Sequence, residues 1–124
     1  MLRLEEEARK YMKDKLFIKE VMTADFYEER ASLTAIYPKE KALEYLALGL
    51  TSEAGEVAGK VKKLIRDGKG DKKAIASEIG DVLWYCAMLA KETKVPLNDI
   101  MKDNLKKLYS RKERGTLQGS GDNR

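Results

Sequence analysis

At 124 residues and a net charge of +4, the chain has room for one domain with a modest core, and its basic residues are too scattered for a nucleic-acid binder. A charged share of 37% beside 43% hydrophobic residues fits amphipathic helices and excludes a disordered chain. The single cysteine, Cys86, excludes an internal disulfide framework, and no run of residues approaches the length of a membrane span.

The first ten residues, "MLRLEEEARK", are acidic and lack the apolar centre of a signal peptide, so a soluble protein of the cytoplasm is expected. Residues 3 to 20 carry sparse apolar positions (Leu4, Ala8, Tyr11, Met12, Leu16) and predict a surface or partner-bound helix. A short helical turn over 24–32 is broken by "TAIYP". The clearest helix runs from Lys41 to about Arg66 and ends at the glycine-containing "DGKGD". Asp71 suits the N-cap of a helix reaching about Thr93. Pro96 suits the first turn of a last helix that continues to about Tyr109. The end, "RGTLQGSGDNR", is polar and glycine-rich and reads as a tail or loop. Strand-type alternation is absent. The fold class expected is all-α, a four-helix-type bundle with its two long helices antiparallel.

Two carboxylate pairs stand out on those long helices. Glu53 and Glu56 in "SEAGE", and Glu78 and Asp81 in "SEIGD", are each spaced i, i+3, which puts both members on one side of a helix. Leu46, Leu50, Val57, Val61 and Leu64 form one stripe of the first long helix. At 100° per residue Glu53 lies roughly 45° from the middle of that stripe, so it faces inward, and Glu56 lies at the stripe's edge. The second long helix is apolar nearly all round from Ile75 to Ala90 and is expected to be buried on most sides. Inward carboxylates repel one another unless a cation joins them, and hard oxygen ligands select magnesium, with manganese as substitute. The competing assignment pairs them with lysines such as Lys60 or Lys63. On the last helix Asn104 falls within the stripe Leu97, Ile100, Met101, Leu105 and Leu108, with Lys107 and Arg111 on nearly the same side. Those three either hold an anionic ligand or are a packing asparagine with two solvated cations.

These residues resemble a known family. Glu-x-x-Glu, a spacer over 57–77, then Glu-x-x-Asp is similar to the pattern of the all-α nucleotide pyrophosphohydrolases of the MazG type. "YLALGLTSEAGEVAGKVKKLIRDG", "EIGDVLWYCAMLA" and "VPLNDIMKDNLKKLYSRKERG" extend the likeness over about residues 43–115. The ending "GTLQGSGDNR" looks like that of the small single-domain members, many of them from phages and bacteria, which would place the chain in a host cytoplasm. The likeness divides the chain into an N-terminal helical extension (1–25), the pyrophosphohydrolase domain (26–115) and a C-terminal tail (116–124).

The resemblance implies magnesium-dependent hydrolysis of a nucleoside triphosphate to the monophosphate and pyrophosphate, by water attack at the α-phosphorus. It implies Glu53, Glu56, Glu78 and Asp81 as metal ligands. With no histidine in the chain, the water's proton passes to a metal-bound hydroxide or to a carboxylate, of which Glu53 or Glu56 is the one expected. Lys107 and Arg111 would hold the β- and γ-phosphates, Asn104 the sugar or a phosphate, and Tyr85 would pack on the sugar. Lys60 would meet phosphates or cap the acidic cluster. For the base the candidates are Phe26, Tyr37 and Tyr45. The tail either reaches a neighbouring subunit's site through Asp122 and Arg124 or is disordered. Leu83, Trp84, Ala87 and Met88 exceed what one small core needs, so a homodimer or homotetramer is expected. Alternatives are a phosphoribosyl-ATP pyrophosphohydrolase, an all-α dUTPase, or a catalytically silent helical interaction module.

Overall fold

The computed structural model describes residues 21–124 together with Arg3, Glu5, Glu6 and Arg9. Apart from those four positions, the helix expected over 3–20 lies outside the described residues. Four α-helices follow: α1 (Ala24–Ser32), α2 (Ala42–Asp67), α3 (Lys72–Thr93) and α4 (Leu97–Glu113), with a 3-10 turn at Lys39–Lys41 before α2. No strand occurs among the described residues.

Each helix begins and ends where local chemistry dictates. Thr23 accepts a hydrogen bond from the Phe26 amide at 3.1 Å and so caps α1. Gly68 stops α2 by taking a left-handed φ of 69°, and its N–H donates to the Leu64 carbonyl at 3.0 Å. Asp71 caps α3 by accepting from the Lys73 amide at 2.8 Å, and Lys94 ends it with φ 61°. Pro96 is the N-cap of α4 and lacks only an N–H that the first turn does not use. That last helix runs one turn past its expected end, to Glu113.

The short turn between Gly68 and Asp71 forces α2 and α3 into an antiparallel hairpin, and they form the main helix pair of the molecule. Gly49 makes room for a side chain of α3. A Cβ built there would stand 2.1 Å from Cε1 of Tyr85, so the tyrosine ring occupies the space a side chain would take. Helix α1 packs across α3, and α4 packs on α1 and α3.

The core collects at the end of the hairpin remote from its turn. Leu46 and Met88 are fully buried there with Ala87, and Ala31, Tyr37 and Ala42 join them. The indole N–H of Trp84 donates to Thr34 Oγ1 at 2.8 Å, tying the loop after α1 to α3. A second tie crosses from that loop to the end of α3. The Tyr37 hydroxyl donates to Glu92 Oε1 at 2.5 Å, and Lys39 Nζ lies 3.5 Å from the same oxygen. Burial and the bond to Glu92 push the Tyr37 pKa up to about 12, while the Tyr37 hydroxyl, ahead of Lys39, pulls Glu92 below the usual carboxylate value.

Helix α3 differs from its expected burial on most sides. Its C-terminal half is enclosed, but Leu83 is 51% exposed and Ile79 47%. The reason is geometric: α2 covers one flank and α1 with α4 another, which leaves the Ile79–Leu83 row uncovered. The α4 stripe is uncovered too. Met101, Leu105 and Tyr109 are each more than half exposed, so Asn104 does not point into a core of this chain.

Two outcomes follow from this packing. Gly49→Ala should lower the unfolding free energy by about 1–3 kcal/mol, read as a lower urea midpoint, because Tyr85 must move aside. An unchanged midpoint would show that the hairpin does not depend on this approach. For Tyr37, a folded pKa above the unfolded value means the stabilisation is complete below pH 10 and is lost as pH rises toward 12. Wild type should lose stability across that window, and Tyr37→Phe should flatten the loss in a pH series of thermal melts.

Candidate metal and active site

The site is built where the core stops. One helical turn after Gly49, α2 presents Glu53; opposite it, α3 presents Glu78 and Asp81. One carboxylate oxygen from each of the three lies within 4.8 Å of the others. Glu53 and Glu78 are half-buried and Asp81 is exposed. Desolvation raises the Glu53 pKa above the ordinary carboxylate value, and the charges of Asp81 and Glu78, a hydrogen bond with the Glu78 carboxyl, and the charge of Glu56 push it the same way. That is the response of an acid crowded by like charge.

A hard divalent cation fits this donor set: three carboxylate oxygens from two facing helices, short of compensating positive charge. The positive group resolved against them is Lys60, whose Nζ lies 3.5 Å from Glu78 Oε1. The lysine pairing weighed from the sequence is therefore present for Glu78. Glu56 is exposed and lies outside the gathered three.

Aromatic groups frame the carboxylates. Tyr85 lies over Gly49, and its pKa is raised by burial and then by Tyr45, Glu53 and Asp81. Tyr27 of α1 approaches from the other flank, its pKa raised by burial and then by Asp81 and Cys86. The sequence did not single out Tyr27 or Gly49. A glycine in the middle of an apolar helix face was the available signal for Gly49. Tyr27 had none, since its place depends on how α1 crosses α3. Trp84 meets Tyr85 edge-on at 5.0 Å, Tyr37 meets Trp84 edge-on at 6.4 Å, and Tyr45 stacks on Tyr37 at 6.2 Å. Of the base candidates, Tyr37 is thus buried and bonded to Glu92, Tyr45 is exposed on its outer side, and Phe26 lies under the Arg30 guanidinium at 5.2 Å.

Asn104 and Lys107 are exposed. Arg111 is only 6% exposed, and its Nη2 donates to the Asp122 carbonyl at 2.8 Å. The tail that covers it folds back on its own helix. Gly115 turns the chain with φ 70°, and the Thr116 amide donates to the Arg111 carbonyl at 2.8 Å. Arg124 then donates to the carbonyls of Thr116, Leu117 and Gly121. The Asp122 backbone carbonyl and the Arg124 guanidinium therefore hold the tail within one chain, and Arg111 is the post it is tied to.

Crowding of the carboxylates gives a stability signature. The raised Glu53 pKa means that ionising this group destabilises the fold as pH rises above the carboxylate range. Glu53→Gln should therefore raise the metal-free melting temperature at pH 7.5, with the gain vanishing at pH 4. A lower melting temperature at pH 7.5 would contradict the crowding.

Comparison with known proteins agrees with this geometry. A family profile described as "MazG nucleotide pyrophosphohydrolase domain" matches residues 41–116, which include all of α2, α3 and α4. The chain is also 46% identical over 114 residues to a protein described as "Gene 37 protein" of Mycobacterium phage L5, covering 83% of this chain and 100% of that one. No solved structure matches the chain significantly.

Proposed function

For a chain that belongs to the MazG nucleotide pyrophosphohydrolase family, we propose magnesium-dependent hydrolysis of nucleoside or deoxynucleoside triphosphates to the monophosphate and pyrophosphate. The observation that carries this reading is the meeting of Glu53, Glu78 and Asp81 across the α2–α3 seam. Those three would hold the cation, magnesium or manganese, with Glu56 beside them as a fourth ligand or as proton acceptor. Bound there, the cation neutralises triphosphate oxygens and acidifies water.

The chain's own groups do the rest. Water attacks the α-phosphorus in line, the bond from that phosphorus to the β-bridging oxygen breaks, and pyrophosphate leaves. Glu56, exposed and outside the gathered three, takes the water's proton; Glu53 is the other carboxylate within reach of that role. Tyr85, fixed over Gly49 beside Glu53, packs on the sugar. Lys60, Asn104 and Lys107 bind phosphate oxygens. Arg111 adds to them only when the Asp122 carbonyl releases it.

A homo-oligomer belongs to this proposal. Ile65 is 79% exposed, Leu48 73% and Leu105 53%, on three faces that a single chain leaves bare. A second copy covers such faces, and it brings the exposed Asn104 and Lys107 of α4 near a partner's carboxylates. No described helix is long and apolar enough to cross a membrane.

The test is pyrophosphate release from a panel of standard and modified nucleoside triphosphates, in magnesium and in EDTA. Release should require the metal and yield the monophosphate. Asp81→Asn should lower kcat/KM by roughly 100-fold or more with helicity unchanged by circular dichroism. Release that persists in EDTA, or full activity in Asp81→Asn, would defeat the reading. Light scattering should give a mass of two or four chains, and Leu105→Glu should lower it.

A further inference from the structure

We infer that Lys60 is a resident counter-ion of the carboxylate seam, which neutralises Glu78 in the metal-free protein and is driven off toward substrate phosphate when a divalent cation enters. This rests on the metal reading above and adds a competition that the reading does not require.

The placement is specific. Lys60 follows Glu56 by four residues and Glu53 by seven, so all three project from one face of α2. Side chains on a helix lean toward its N-terminus, which carries the Lys60 ammonium back over the turn that holds the carboxylates. There it lies 3.5 Å from Glu78 Oε1, with the glutamate side chain 18% exposed and the lysine side chain 36%. A pair so enclosed is screened less than one on open surface.

The distance also says what the contact is not. At 3.5 Å the ammonium is an ion-pair partner rather than a well-formed hydrogen-bond donor, and it faces one of three carboxylates that each place an oxygen within 4.8 Å of the others. It supplies one positive charge to three carboxylates, and a divalent ion supplies two from a position among all three. The ion should win the site. The two cations compete there, because like charges a few ångströms apart repel even at high effective dielectric. Lysine suits the role because its four-carbon stem is flexible and its ammonium bonds without a fixed direction. Once displaced it stays tethered to the same face of α2, where the triphosphate's negative charge would arrive.

The prediction runs against the usual result of removing a residue near a metal site. Lys60→Met keeps the stem and removes the charge, so it should bind manganese more tightly, by roughly tenfold in calorimetric Kd. Its metal-free melting temperature should fall, since the seam loses its counter-ion, and its rise on adding manganese should exceed that of wild type. The KM for a nucleoside triphosphate should increase. Lys60→Arg should keep the wild-type manganese Kd, and Lys60→Gln should repeat the effect of methionine. An unchanged or weaker manganese Kd in both neutral variants would overturn the inference and leave the metal reading standing. Absence of manganese binding in wild type would remove the metal reading, and the inference with it.

Discussion

Everything about the site depends on three carboxylate oxygens held within 4.8 Å of one another. Such a group is stable only where something offsets its repulsion. In this chain the offset is divided: Glu53 resists ionisation, and Lys60 leans on Glu78. Neither removes the excess negative charge. A cluster that is merely tolerated would gain from losing one acid, and nothing in the packing of α2 against α3 calls for a carboxylate at Glu53. Under the proposed function, a divalent cation is what offsets the crowding.

The rest of the fold holds that crowding in place. Gly49 lets the Tyr85 ring lie against α2 one turn before Glu53, which packs the two helices beside the site. The core of Leu46, Ala87 and Met88 fixes the hairpin on one side of the site, and the Gly68–Asp71 turn fixes it on the other. The Tyr37–Glu92 bond and the Trp84 indole then clamp the loop between α1 and α2 onto α3. Rigid helices on both sides of a charged seam are what metal geometry needs, since loops would relax away from the repulsion.

Much of this was readable in the sequence because helical periodicity is local. Glu53 falls inside an apolar stripe by angle alone, and two i, i+3 pairs on consecutive helices must face each other once a four-residue turn joins them. The family resemblance came from the same residues. The contacts that escaped are those whose partners lie far apart in the chain. Tyr37 and Glu92 are 55 residues apart, and nothing in either segment names the other. Glu56 lies exposed and outside the gathered three, which the i, i+3 spacing does not reveal. Arg111 read as a phosphate ligand or a solvated cation because it shares the Asn104 side of α4. The tail's glycines and the Asp122 carbonyl, which enclose it, count only once the chain has turned back on itself. The α4 stripe reads as core in sequence, yet Ile100, Met101, Leu105 and Leu108 lie exposed in the folded chain.

The most direct test of the central claim is anomalous diffraction from crystals of the full chain soaked in manganese. A single strong peak among Glu53, Glu78 and Asp81, with oxygens at about 2.2 Å and the Lys60 ammonium moved away, is the expected result. A seam without manganese, and with Lys60 still against Glu78 at saturating metal, would contradict it.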